Sequence, residues 1–114
     1  MDQRAPDRVD AWVCHVNVGS RAEALRIGRA LVEERLAACA NVVDGLSSLY
    51  WWRGRLEEAG EALLILKTRG ELVPALIERT RQLHSYECPS VVALPIAAGN
   101  PDYLRWIAAE TRSA

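Results

Sequence analysis

Between Leu46 and Leu66 the chain reads Leu-Ser-Ser-Leu-Tyr-Trp-Trp-Arg-Gly-Arg-Leu-Glu-Glu-Ala-Gly-Glu-Ala-Leu-Leu-Ile-Leu. Its middle, Trp52-Arg53-Gly54-Arg55, has the form of a tight reversal, because Gly54 takes φ > 0 without steric cost. Before the turn β-formers are dense: Val42, Val43, Leu49, Tyr50, Trp51 and Trp52. After it, Leu63 to Leu66 is a continuous apolar run, the pattern of a strand covered on both faces. The stretch predicts a long β-hairpin with two adjacent tryptophans near its tip.

Length makes this hairpin informative. A first strand from Asn41 to Arg53 reaches about 40 Å at about 3.3 Å per residue. The best helix, predicted over Ser20 to Ala38, covers about 28 Å at 1.5 Å per residue. A helix layer of that length leaves the hairpin overhanging. Trp51 and Trp52 are adjacent, so an overhanging tip carries one indole on each side. Another copy of the chain is the simplest cover for both rings, and the sequence predicts an obligate oligomer.

A chain of 114 residues predicts one domain, with residues 1–8 as a polar, disordered tail and 9–114 as the folded unit. The net charge of -1 gives no electrostatic reason for a nucleic-acid or membrane partner. No apolar run approaches the roughly 20 residues that span a bilayer, and Met1 to Arg8 contains no apolar signal core. Three cysteines, Cys14, Cys39 and Cys88, without C-x-x-C spacing fit neither a disulfide framework nor a zinc ribbon. They fit a reducing cytoplasm.

In order, Val9 to Val18 reads as a strand ended by Gly19-Ser20. Ser20 and Glu23 form an S-x-x-E capping box for the helix that follows. Ala24, Ile27 and Leu31, with Leu25, Val32 and Leu36 beside them, supply its apolar face. Gly28 interrupts that helix and allows close approach to a sheet. After the hairpin, Leu72, Val73, Leu76, Ile77, Thr80 and Leu83 predict a second helix with Pro74 in its first turn and His84 at its C-terminal end. Cys88 to Ile96 reads as a fourth strand with a proline near each end. Asn100-Pro101 then starts a last helix carrying Tyr103, Leu104, Trp106 and Ile107. The order β-α-β-β-α-β plus a terminal helix predicts an α+β, ferredoxin-like sandwich, a fold that assigns no function by itself.

Four stretches resemble the CutA family of divalent-cation tolerance proteins: Leu31-Val32-Glu33-Glu34-Arg35-Leu36-Ala37-Ala38-Cys39-Ala40-Asn41, Ser48-Leu49-Tyr50-Trp51-Trp52-Arg53-Gly54-Arg55-Leu56-Glu57, Leu83-His84-Ser85-Tyr86-Glu87-Cys88-Pro89, and Leu94-Pro95-Ile96 with Gly99-Asn100-Pro101-Asp102-Tyr103-Leu104-Arg105-Trp106-Ile107. They run in the family's order from about Val13 to Arg112. The resemblance implies a trimer joined through extended strands, similar to the PII signalling proteins, and a link to tolerance of copper and other divalent cations. It implies no enzymatic reaction. The chain departs from the family in two places. The first-strand cysteine of some bacterial members falls on Val16, two residues from Cys14, and the usual proline between the His and Tyr is Ser85.

The candidate metal ligands are Cys39, His84 and Glu87. A thiolate at Cys39 is a soft donor for Cu(I) or Zn(II); a lone cysteine after Ala37-Ala38 equally well packs as a small hydrophobe. His84, Tyr86 and Glu87 are the densest polar cluster, suited to Cu(II) or Zn(II), yet His84 also suits a helix C-terminus and Glu87 a local ion pair. Cys88 before Pro89 is expected at the start of a buried strand. Cys14 and His15 alternate and face opposite sides of their strand. Tyr50, Trp51, Trp52 and Tyr86 are candidate binding or interface residues, with the two tryptophans favouring contacts between copies over ligand stacking. Arg53 and Arg55 solvate the tip. Phosphate-cradling loops, a G-x-S-x-G elbow and an H-E-x-x-H pair are absent from the sequence. The chain has neither the C-x-x-C loop of the heavy-metal chaperones of this fold nor a Phe for an RNP-type RNA platform. The sequence thus favours a cytoplasmic, non-catalytic homotrimer that binds copper or another divalent cation weakly. The alternative is a PII-like trimer that docks to a protein partner without metal.

Overall fold

The computed structural model describes residues 9–113; the tail expected over residues 1–8 lies outside the described residues. The elements are β1 (Ala11–Val18), α1 (Arg21–Glu33), β2 (Cys39–Trp52), β3 (Arg55–Arg69), α2 (Val73–Leu83), β4 (Val91–Pro95) and α3 (Pro101–Glu110). The strands form one antiparallel sheet in the order β2-β3-β1-β4. This is the ferredoxin-like βαββαβ order, with α3 appended.

The core lies between one face of the sheet and the two longer helices. Cys14, Val16 and Val18 of β1 and Ala62, Leu64 and Leu66 of β3 pack against Ala24, Ile27, Leu31 and Leu76. A second cluster joins Ile107 of α3 to Ala11 and Ala38, with Leu104 and Ile96 beside it. Thr68 is fully buried, and its hydroxyl donates to the Leu36 carbonyl at 2.7 Å.

The first helix starts where the capping box places it, but only half of the box forms. Ser20 Oγ accepts from the Glu23 amide at 3.1 Å. The Glu23 carboxylate turns away and accepts from both the amide and the hydroxyl of Ser85, each at 2.9 Å. A proline at Ser85 has no donor for the first of these bonds. The helix ends at Glu33, not at Ala38, because Arg35 adopts the left-handed conformation at φ 60°. The Leu36 and Ala37 amides then both turn back to the Leu31 carbonyl. That conformation costs a non-glycine residue about 1–2 kcal/mol. It is offset by contacts made there: Arg35 pairs with Glu110 at 2.7 Å, and its carbonyl accepts from the Arg112 amide. Leu25, expected on the apolar face, is 37% exposed on the flank of the helix, whereas Leu36 reaches the core from the connection. At Gly28 the approach to the sheet is close. A Cβ there would lie 3.0 Å from Ala40 Cβ and 3.0 Å from Leu64 Cδ1.

The hairpin turns on Arg53 (φ 51°) and Gly54 (φ 79°), both left-handed as a two-residue primed turn requires. Trp52 pairs with Arg55. The overhang exceeds expectation, since α1 spans about 20 Å whereas β2 reaches about 46 Å; the longest dimension of the chain is 51 Å. Two expectations are corrected. Leu63–Leu66 is covered on one face by the two longer helices: Leu64 and Leu66 are buried, while Leu63 and Ile65 are half-buried on the opposite face, which α3 covers only at the end near Ala11 and Lys67. The fourth strand is also shorter than Cys88–Ile96, leaving Cys88 exposed in the segment before it.

One irregularity sets the geometry of the tip. Val43 pairs with Leu63 but Leu46 pairs with Glu61, so Asp44-Gly45 forms a bulge, with Gly45 at φ 79°. A bulge of this kind exchanges the faces of all residues beyond it. Ser48, Tyr50 and Trp52 therefore share the uncovered face with Asn41 and Val43. Leu49 and Trp51 take the helix side, beyond the end of the helices.

Candidate functional site

The hairpin beyond the bulge, the end of β1 and the segment after α2 together border an open cleft of about 730 Å³. Its floor is Glu61, 6% exposed, in the directly paired position opposite Leu46. Asn17, next to last in β1, donates to Glu61 Oε1 at 3.3 Å. Tyr86 Oη donates to Glu61 Oε2 at 2.8 Å. The Ser48 hydroxyl is a further neutral donor facing the carboxylate. Tyr50 and Trp52 also line the cleft from the hairpin, and Glu87 and Cys88 from the opposite side. The volume lies in the range typical of small-molecule sites.

His84 anchors the far wall. Its Nε2 lies 2.7 Å from the Asn17 carbonyl and its Nδ1 is 3.0 Å from the Tyr86 amide. A carbonyl only accepts and an amide N–H only donates, so Nε2 carries the proton and Nδ1 offers its lone pair to Tyr86. The side chain is fully buried, and its ring lies 4.6 Å from that of Tyr86. His84 thus fastens the segment after α2 to β1 and aims Tyr86 at Glu61. In this arrangement neither ring nitrogen has a lone pair left for a metal ion.

Burial raises the Glu61 carboxyl pKa, but hydrogen bonds from Ser48, Tyr86 and Asn17 outweigh it and hold the value below the ordinary 4.5. The Tyr86 phenol is pushed well above its ordinary 10.0, by burial first and by Glu61 second. A depressed carboxyl pKa contributes stability that is fully present above the unfolded-state value and is lost as pH falls through the folded-state value. Denaturant midpoints measured downward from pH 6 should therefore fall below about pH 4.5 less steeply in Glu61→Gln than in the parent. Equal acid slopes would show that Glu61 is not held in its charged form.

Of the remaining metal-ligand candidates, Glu87 stays at the cleft edge and Cys39 lies apart. Glu87 is exposed and pairs with Arg53 at 2.7 Å. Cys39 opens β2 opposite Lys67, at the other end of the sheet. From Lys67 to Leu63, the position opposite Asn17, is four strand residues, about 13 Å. Cys39 Sγ lies 3.6 Å from Tyr103 Oη, and that phenol is pushed up to about 12, by burial first and then by Cys39. The Cys14 thiol is fully buried and pushed up to about 11 by that burial. Among the described residues no three His, Cys, Asp or Glu side chains stand together as a metal-binding group. The described residues of one chain do not fit a copper or zinc centre. The sequence reading missed Glu61, Asn17 and Ser48; the signal available was Asp44-Gly45 inside a strand pattern, a mark of a bulge.

The sequence pattern of the CutA1 divalent ion tolerance protein family matches residues 12–110. The chain belongs to the CutA1 family. It is 42% identical to the chloroplastic rice protein CutA 1 over 93% of this chain and 60% of that protein. It is 49% identical to mouse CutA over 79% of this chain and 51% of that protein. The chain thus spans only about half to three-fifths of the length of these two relatives. The divalent-cation tolerance protein CutA of Thermus thermophilus is 50% identical over 84% of this chain and 93% of its own length. Among solved structures, rice CutA1 superposes with a TM-score of 0.90 at 42% identity, covering 93% of this chain and 97% of that one. Thermus thermophilus CutA1 superposes with a TM-score of 0.87 at 48% identity, covering 90% and 99%. A CutA from Archaeoglobus fulgidus with a TM-score of 0.85 is described as periplasmic. In this CutA1-family chain, no helix among the described residues is long and apolar enough to cross a membrane.

Proposed function

We propose that this chain serves divalent-cation tolerance as a non-enzymatic homotrimer, and that any copper or zinc it takes up is held weakly by donors shared between copies. The observation that supports assembly is the uncovered apolar surface at the tip. Leu49 is 68% exposed, Trp51 73% and Leu56 60%, and Trp51 and Leu56 are a direct cross-strand pair. The open sheet face adds Val43, Val92 and Leu94, all about half exposed. Apolar surface of this extent marks an interaction site. Association with identical copies covers it with the simplest symmetry. The three free cysteines support a reducing, cytoplasmic setting.

Engagement of both His84 nitrogens favours a second reading, a PII-like trimer that docks to a protein partner and holds no metal. Native mass spectrometry of untagged protein, titrated with Cu(II), Zn(II) and, under reductant, Cu(I), separates the two. Shared-donor binding is expected to give a trimer with a whole number of ions, lost on Cys39→Ser or Glu87→Gln. A trimer that stays empty through the titration would sink metal binding and leave the docking reading. A monomer would overturn both.

A further inference from the structure

We propose that the cleft over Glu61 is a binding site for a small organic cation, a primary ammonium or guanidinium compound. The inference goes beyond the tolerance reading and does not rest on it. Its anchor is charge. Glu61 is a buried carboxylate whose three side-chain partners, Asn17, Ser48 and Tyr86, are all neutral donors. No lysine or arginine forms an ion pair with it among the described residues. A carboxylate offers about four acceptor sites, so the two hydrogen bonds from Asn17 and Tyr86 leave acceptor capacity for Ser48 and a ligand. A buried anion without a counter-ion attracts a cation strongly in the low dielectric of a cleft.

The walls agree with the floor. Tyr50 and Trp52 present aromatic rings on the same face as Ser48, and aromatic faces attract ammonium and guanidinium groups. The protein's own Arg53 displays the preferred chemistry at the mouth. Its guanidinium carbon sits 5.2 Å from the centre of a Trp52 ring while its Nη2 lies 2.7 Å from Glu87. Aromatic face plus carboxylate thus already holds one guanidinium at the rim. The deeper carboxylate, Glu61, has no such partner. With Glu87 neutralised by Arg53, the charge of Glu61 is what disfavours phosphates and carboxylates in the cleft. The volume of about 730 Å³ admits an extended diamine or a guanidino-amine.

The test is a titration of full-length, uniformly 15N-labelled protein with agmatine and, separately, putrescine, followed by NMR, with glutarate as the anionic control. The expected result is saturable shifts of the Trp52 indole and of the backbone amides of Ser48 and Glu61, and none with glutarate. Glu61→Gln keeps the shape and the hydrogen bond from Tyr86 but removes the charge, and should weaken agmatine roughly tenfold or more. Trp52→Leu removes one wall outside the core and should also weaken binding with the carboxylate intact. No saturable shift at millimolar agmatine would overturn the proposal, as would glutarate binding equally well or unchanged affinity in Glu61→Gln. A cleft filled in solution by another copy gives the first of these results.

Discussion

Trp51→Ala is expected to weaken assembly by about 2–4 kcal/mol at each interface while leaving the fold of a single chain intact. The ring is 73% exposed in its own chain, with Leu56 as its direct cross-strand neighbour. It lies past the end of α1, so truncation removes little that holds one subunit together. In the proposed trimer a neighbour covers the same ring, and buried aromatic side chains dominate interface energies. The proposed threefold symmetry repeats the loss at each interface. Sedimentation velocity over a dilution series should show the variant dissociating at concentrations where the parent remains trimeric, with an unchanged far-UV circular dichroism spectrum. Trp52→Ala should have a smaller effect, because Trp52 is 39% exposed and already stacks with Arg53. A Trp51→Ala protein that stays trimeric and equally heat-stable would place the tip outside the interface.

The contrast between these two tryptophans shows where the sequence is legible. Their opposite orientation follows from strand alternation alone, and the turn at Arg53-Gly54 follows from a single glycine. Which tryptophan faces the uncovered side is decided elsewhere, by the Asp44-Gly45 bulge, which exchanges every face beyond it. Alternation read straight through residues 41–53 places Tyr50 and Trp52 on the wrong side. The end of α1 was hidden for a different reason. Arg35 takes a left-handed conformation that sequence preference assigns to glycine or asparagine, and it is held there by Glu110 and by the Arg112 amide, far along the chain. Nothing in the sequence around Glu61 marks it out from the other hairpin charges. Its burial depends on Asn17, Ser48 and Tyr86, contributed by three separate segments. His84 was legible as a polar residue at a helix end, but its use of both nitrogens depends on Asn17, 67 positions away.

The helix–sheet contact, by contrast, was marked by Gly28, and it carries the second large effect. Leu64→Ala is expected to lower the unfolding free energy by about 2–5 kcal/mol, since the side chain is fully buried and its removal leaves a cavity. Against a total stability of about 5–15 kcal/mol for a typical domain, that is a large fraction. Gly28→Ala alone combines a helix-propensity gain of about 1 kcal/mol with overpacking that costs about 1–3 kcal/mol. The net is a modest loss, because the new methyl group meets Ala40 Cβ and Leu64 Cδ1, each at 3.0 Å. In Leu64→Ala the second of these obstacles is gone and the cavity lies beneath the new methyl. Gly28→Ala should then cost less, or turn stabilising, with a coupling of at least about 0.5 kcal/mol between the two sites. Residual crowding against Ala40 keeps the rescue partial, since a Cβ cannot rotate away. Chemical denaturation of the four proteins of the cycle at one subunit concentration measures this coupling free of mass-action effects. Strict additivity would mean that α1 shifts to accommodate a side chain at position 28, and that the close approach is not what fixes the helix over β2 and β3.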